Sequence, residues 1–245
     1  MIEGSFFTIL DTVDSTNNYA MARIDDGLAK HGMMWFANEQ TAGKGQRGKT
    51  WASEKGKNIA ISLVLSPEQL KLSSQFHLSA AVAMACFEFL STYIDGETKI
   101  KWPNDLFWRD RKAGGILIEN KLQGKTWKWA VVGIGINVNQ TVFDKSLLNA
   151  VSLKQITGRT FSPVNLAKEL QVLLMKKLDE ASSLEAILQQ YNQHLYKINE
   201  LVALRKNGVK FDTVIKEVSA QGKLITVDAI EREFDFGEVE WLLYR

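Results

Sequence analysis

The segment Gly43-Lys44-Gly45-Gln46-Arg47-Gly48-Lys49-Thr50-Trp51 constrains this chain more than any other. It satisfies two nucleotide-binding patterns letter for letter: G-x-G-x-x-G through Gly43, Gly45 and Gly48, and G-x-x-x-x-G-K-[ST] from Gly43 to Thr50. Both patterns work only as strand, loop and then helix, because the helix N-terminus supplies the free N–H groups that hold phosphate. Upstream, Met33–Asn38 reads as the strand. Downstream, the eight residues Trp51 to Asn58 lead straight into the β-type run Ile59–Leu65, leaving no length for a helix. A P-loop fold ranks behind other readings on this ground, and a Rossmann fold lower still. The loop chemistry survives the rejection. Bare glycines let backbone amides approach an anion, and Lys44, Arg47, Lys49, Lys55 and Lys57 face a single acid, Glu54. That combination suits a phosphate or a carboxylate. A plain solvated loop is the blander reading, and it leaves the flanking apolar strand and Trp51 unexplained.

Around this loop, helix and strand signals alternate. Asp14-Ser15-Thr16 can cap a helix carrying Ala20, Met21, Ile24 and Leu28. Asn58–Leu65, Thr98–Trp102, Gly115–Glu119 and Thr126–Val138 read as strands, and Ser73–Ile94 as a long buried helix. Two amphipathic helices follow, Asn165–Ala181 and Ser183–Ile198, the first with Leu166, Leu170, Leu173, Leu174 and Leu178 inward. After Glu200 the character changes to β-type runs Leu201–Arg205, Val209–Val218, Leu224–Ile230 and Glu238–Tyr244. Asn207-Gly208, Gln221-Gly222 and Phe236-Gly237 mark the turns between them. The expectation is an α+β domain followed by a small β-barrel-like tail.

Three further segments carry polar groups on strand ends. Lys99-Ile100-Lys101-Trp102-Pro103-Asn104-Asp105 is cationic, and Asp105 is placed to meet a nucleotide's Mg²⁺, or else to form an ordinary Asx turn. Lys112 precedes Gly114-Gly115 and a strand. In Val132–Asn139 the alternate glycines Gly133 and Gly135 leave one face bare, so that something flat can lie on the sheet. Asp228 resembles a Walker-B acid but sits in the β tail. His31, His77 and His194 are scattered without metal-ligand spacing. The lone Cys86 lies in an apolar run and reads as a small buried hydrophobe rather than a thiol nucleophile. This inventory points to catalysis by positioning and charge neutralisation. A net charge of +2 argues against nucleic acid as an obligate partner. No signal peptide or membrane-length apolar stretch is read, so a soluble cytoplasmic enzyme, with no membrane partner, is expected.

Taken in order, Asp14–Asn17, Glu39–Ala42 with the Gly43–Trp51 loop, Lys101–Asp105, Lys112–Glu119 and Gly133–Val138 resemble the catalytic domain of biotin–protein ligases. Each motif alone is weak; five in this order and spacing are specific. The resemblance implies a mixed-sheet α+β catalytic domain of the biotin/lipoate ligase type over residues 1–198 and an SH3-like β-barrel domain over 199–245. It implies formation of biotinyl-5'-AMP from biotin and ATP with Mg²⁺, then transfer to a lysine of a biotin carboxyl carrier domain. Ser15, Thr16, Asn17 and Gln40 would meet the ureido ring, with Gly43, Gly45 and Gly115 along its walls. Lys112, Lys44 and Arg47 would be the catalytic cations. Lys44, Gln46, Arg47, Trp51, Lys101, Asn104 and Asn137 would bind ATP, with Asp105 at the Mg²⁺.

The sequence departs from the family's G-R-G-R-x-G-R pattern, with Lys44 in the first arginine's place and Gln46 in the second's. A guanidinium fork grips phosphate better than an amine or an amide, so a looser hold on the adenylate is expected, with Arg47 as the compensating group. Some members of the family carry an N-terminal helix-turn-helix. Here the motifs begin by Asp14, and no operator DNA is expected; homodimerisation is left open. The rivals are a lipoate or octanoate ligase of the same fold, whose apolar tunnel does not call for Ser15-Thr16-Asn17, and a nucleic-acid-binding module built on the basic loop.

Overall fold

The computed structural model describes residues 6–67, 75–144, 147, 149–180 and 183–242. In chain order the elements are β1 (Phe7–Val13), α1 (Thr16–Asp25), β2 (Met34–Gln40), β3 (Ile59–Leu65), α2 (Gln75–Ser91), β4 (Thr98–Lys101), β5 (Asp105–Trp108), β6 (Arg111–Gln123) and β7 (Thr126–Ile136). Then come α3 (Leu153–Thr157), α4 (Pro163–Glu180), α5 (Leu184–Gln193), β8 (Leu201–Lys206), β9 (Val209–Val218), β10 (Leu224–Val227), β11 (Glu231–Phe234) and β12 (Glu240–Trp241). The first seven strands form one mixed sheet in the order β1-β2-β3-β7-β6-β5-β4. Only β1 and β2 run parallel, and α1 is the crossover that a parallel pair requires.

Side-chain alternation sorts the central strands onto two faces. Met34 and Phe36 of β2, with Ile61, Leu63 and Leu65 of β3, enter the large core shared with α2 and α4. Trp35 and Val64 point the other way, where α1 brings Ala20 and Ile24 against them and Val131. Because β3 is covered on both sides, it reads as a continuous apolar run broken only by Ser62. The inward leucines expected for α4 hold: Leu166, Leu170 and Leu174 are buried, and Leu173 and Leu178 pack against them.

The differences from expectation have local causes. The strand β1 was not anticipated because it is a sheet edge with mostly exposed, mixed residues. β5 follows directly on β4 through Trp102, Pro103 and Asn104, where the Trp102–Pro103 bond is cis. The short helix α3 is announced by a capping box, with Ser152 and Gln155 bonding each other's backbone, and is closed by Gly158 at φ 72°. At α1 the N-cap is Ser15, whose side chain makes no capping bond; Asp14 instead accepts from Asn18 Nδ2 at 2.5 Å. Residues 73 and 74 of the expected long helix lie outside the described residues.

The last five strands form an antiparallel sheet ordered β11-β10-β9-β8-β12. Asn207 at φ 51° and Gly208 at φ 81° make the expected β8–β9 hairpin turn. The sheet is open in this order, so the closed barrel expected from the sequence is not seen. The last strand shrinks from Glu238–Tyr244 to Glu240–Trp241, with residues 243–245 outside the described ones. This sheet is fastened to the first: Trp102 Nε1 donates to Gly222 O at 2.9 Å, and Phe76 sits where a Cβ on Gly222 would lie 2.7 Å from its ring.

No helix among the described residues is long and apolar enough to cross a membrane. Cys86 is fully buried in α2, and burial pushes its thiol well above the usual range. Folded protein should therefore resist a thiol-specific disulfide reagent at pH 8 and react at one thiol per chain only in denaturant. Rapid labelling of the native form would contradict this packing.

Candidate active site

Sheet register assembles the site. Ala60 on β3 pairs with Gly135 on β7, Gly135 with Gly115 on β6, Gly115 with Asp105 on β5, and Asp105 with Lys101 on β4. Directly opposed residues share a face, so these five form one row across the sheet, bare at one end and ionic at the other. The neighbouring row is Ser62, Gly133 and Leu117. Above this floor lies a cavity of about 870 Å³, within the size range of small-molecule sites. Every site residue expected from the sequence lines it except Gly43.

At the first end of the cavity α1 begins, and its first turn builds a polar wall. Thr16 donates to Gln40 Oε1 from both its N–H (2.8 Å) and its Oγ1 (3.1 Å). Behind Thr16, Ser62 Oγ lies 2.8 Å from Thr16 Oγ1 and 2.5 Å from Asn17 Oδ1. Asn17 Nδ2 donates to Glu119 Oε2 at 2.7 Å and to Leu117 O at 3.4 Å. Ser15, Thr16, Asn17 and Ser62 are all buried, and such groups persist in a core only when hydrogen-bonded. A Cβ on Gly133 would fall 2.4 Å from Asn17 Oδ1, so the bare face there is filled by the Asn17 amide.

At the other end are the cations. Lys112 Nζ pairs with Asp105 Oδ1 at 2.6 Å and lies 5.9 Å from the centre of the Trp51 ring. Lys101 is packed between the rings of Phe107 and Trp241. Burial pushes its ammonium down to about 8; Lys112 and Lys49 add to the fall and Asp105 opposes it. Lys44 instead sits by the polar wall, paired at 3.6 Å with Glu119, the carboxylate that also accepts from Asn17. Asn104 Nδ2 and Gln46 Nε2 both donate to Ile116 O, at 2.7 and 3.4 Å. Asn137 gives both amide hydrogens to Lys112 O and Val151 O, so only its Oδ1 is left for a ligand.

The glycine-rich loop turns back on itself instead of entering a helix. Lys44 bridges to Thr50, Gly45 N–H donates to Lys49 O at 2.7 Å, and a short 3₁₀ turn spans Gln46–Gly48. Both literal nucleotide motifs thus fail on the missing helix. Trp51 then lays its indole flat on Gly135, where a Cβ would come within 2.4 Å of the ring. Gly43 is needed for close approach, since a Cβ there would meet Trp51 O at 2.4 Å. Arg47, in the left-handed region at φ 55°, reaches across the cavity mouth to Gly237 O at 2.8 Å.

Asp105 brings one carboxylate, already held by Lys112, and among the described residues no cluster of three or more acids, histidines or cysteines could hold a metal. Such a site suits a Mg²⁺ carried in on phosphate and clothed in water, not a resident ion. Sequence reasoning missed Ser62, the role of Glu119 and the contribution of the C-terminal sheet, which lines the cavity with Phe236, Gly237, Val239, Glu240 and Trp241. The one local signal was a serine interrupting an apolar strand. Asp228 is an ordinary turn residue paired with Arg232.

Known proteins resemble this chain in sequence and in fold. The model of the biotin/lipoate A/B protein ligase family matches residues 9–137, just over half the chain. The bifunctional ligase/repressor BirA of Escherichia coli is 31% identical over 246 residues, covering 97% of this chain and 74% of the relative. The biotin–[acetyl-CoA-carboxylase] ligase of Paracoccus denitrificans is 37% identical over 162 residues, 63% of this chain and 65% of its own. Among solved structures, a biotin protein ligase from Aquifex aeolicus in complex with biotin and ATP superposes with a TM-score of 0.81 at 24% identity, over 97% of this chain and 99% of that one. A row of small residues ending in Asp105 and Lys101, with a polar wall opposite, is therefore found in a chain that belongs to the biotin/lipoate A/B protein ligase family.

Proposed function

We propose that this chain is an ATP-dependent biotin–protein ligase, which makes biotinyl-5'-AMP and transfers biotin to a lysine of a biotin carboxyl carrier domain. The observation that carries the reading is the polarity of the cavity. A hydrogen-bonding wall at Thr16 and Gln40 faces, across a floor of the small residues Ala60, Gly115 and Gly135, the cations Lys101 and Lys112. Biotin has the same layout: a ureido head, an apolar chain and a terminal carboxylate.

In the first step a carboxylate oxygen attacks the α-phosphorus of ATP, and pyrophosphate leaves. Both reactants are anions, so fixed positive charge in a partly dry cavity is the main requirement. Lys112 and Lys44 meet the carboxylate and α-phosphate, with Lys101, Arg47 and Gln46 along the phosphates. Each cation rests against a protein acceptor, Asp105, Glu119 or the Gly237 carbonyl, and exchanges it for the substrate anion. A phosphate-borne Mg²⁺ beside Asp105 and Asn104 would supply further charge neutralisation. Trp51 stacks on the adenine and Asn137 Oδ1 accepts from it, which requires the indole to share or leave the Gly135 slot. In the second step a neutral lysine amine attacks the acyl carbon, loses a proton and displaces AMP. Residues 1–198 are read as the catalytic domain and 199–245 as an SH3-like module that closes its mouth.

Four measurements test this. Pyrophosphate exchange into ATP should require biotin; exchange driven only by lipoate or octanoate would assign the chain to the other branch of the family. Lys112→Ala should abolish exchange in a protein that still folds and melts cooperatively, at a lowered temperature because Asp105 loses its partner. The loss of one such donor from a charge-stabilising site is worth about 3–4 kcal/mol, or roughly 10²–10³ in rate.

Lys101 sets a pH dependence. Its ammonium, held down to about 8, is charged below that pH and neutral above. ATP affinity should therefore fall between pH 7 and 9, and Lys101→Met should flatten the profile at a weaker level. A wild-type profile flat across that window would contradict the role.

Gln46→Arg should slow release of the adenylate, because a guanidinium fork holds phosphate in two places. Equal release rates in a rapid-dilution assay would count against loose retention at this position.

A further inference from the structure

Behind the polar wall stands a second layer that does not line the cavity. Resting on the biotin reading above, we propose that Glu119 and Ser62 are positioning residues that fix Thr16 as a hydrogen-bond acceptor for an N–H of the cyclic urea.

The inference follows from counting protons. The Glu119 carboxylate, paired through Oε1 with Lys44, can only accept, so Asn17 must turn its Nδ2 towards Oε2. Its second hydrogen goes to Leu117 O. Turning the Asn17 amide over would set its oxygen against two acceptors with no proton between them. Asn17 Oδ1 therefore faces Ser62, whose single proton it takes at 2.5 Å. Ser62 Oγ is then left with lone pairs towards Thr16 Oγ1. The Thr16 proton has two acceptors inside the wall, Ser62 Oγ and Gln40 Oε1, so Thr16 Oγ1 offers the cavity lone pairs only. Gln40, its oxygen turned inward by the Thr16 N–H, offers its amide hydrogens. An acceptor beside a donor complements the N–H and C=O edge of a urea, which neither a dithiolane nor an alkyl chain possesses. Gly133 must stay bare for Asn17 to sit in this relay.

Glu119→Gln removes the one member that cannot donate, so Asn17 is free to turn and the Ser62 proton can swing to Thr16. Ser62→Ala breaks the relay in the middle. Equilibrium binding of biotin without ATP should weaken roughly tenfold in either variant, the scale of one hydrogen bond. The half-saturating ATP concentration in pyrophosphate exchange should stay within about a factor of two in Ser62→Ala, which leaves the Lys44–Glu119 pair in place, and the double variant should bind biotin no worse than the weaker single one, as expected for members of one network. Unchanged biotin affinity in both variants, biotin and ATP weakening in parallel in Ser62→Ala, or additive losses would each overturn the inference. A wild-type protein without biotin-dependent exchange would overturn the functional reading and this inference together, whereas an active wild type with unmoved biotin binding overturns the inference alone.

Discussion

The site depends on strand register. The row from Ala60 through Gly135, Gly115 and Asp105 to Lys101 draws on five strands, and each pairing must hold for the row to exist. A slip of one residue in any strand would send its side chain to the opposite face, into the core under α2 and α4. That core therefore does more than stabilise: Ile61, Leu63, Ile134 and Ile136, buried on one side, force their neighbours Ala60, Ser62, Gly133 and Gly135 onto the other. Function is written on the face left over by packing.

Charge in the site is concentrated but not naked. Lys112 has Asp105, Lys44 has Glu119, and Lys101 shares the field of Asp105 while losing ground to burial and its cationic neighbours. An uncompensated buried charge would be strongly unfavourable, whereas a paired one can exchange its partner for an incoming anion at modest cost. On the proposed reading, the pairing acids keep the resting pocket folded, and two anionic substrates take their place when bound.

The C-terminal sheet completes the cavity. Trp241 packs against Lys101, Phe236 meets Trp102, and the Gly237 carbonyl receives Arg47 from the opposite loop. A Cβ on Gly237 would fall within 2.3 Å of the Arg47 guanidinium, so the glycine admits the contact as well as the turn. Arg47, placed by the sequence among the catalytic cations, also ties the loop to this sheet.

Local order decided what the sequence alone could reveal. Periodicity marked the central strands and the amphipathic helices, and the eight residues from Trp51 to Asn58 ruled out a phosphate-binding helix. The cationic loop, Lys101, Asp105, Lys112 and the glycine pair were legible because each lies in a short motif with its own chemical logic. Ser62 and Glu119 were not, since their roles arise only when β3 and β6 come to lie on either side of β7 and meet α1. Nor could the sequence tell that Trp51 would rest on Gly135, or that a tail of β-type runs would form an open sheet across the mouth of the cavity. Such facts are pairings between distant residues, fixed by register and close packing in three dimensions, and no local pattern encodes them.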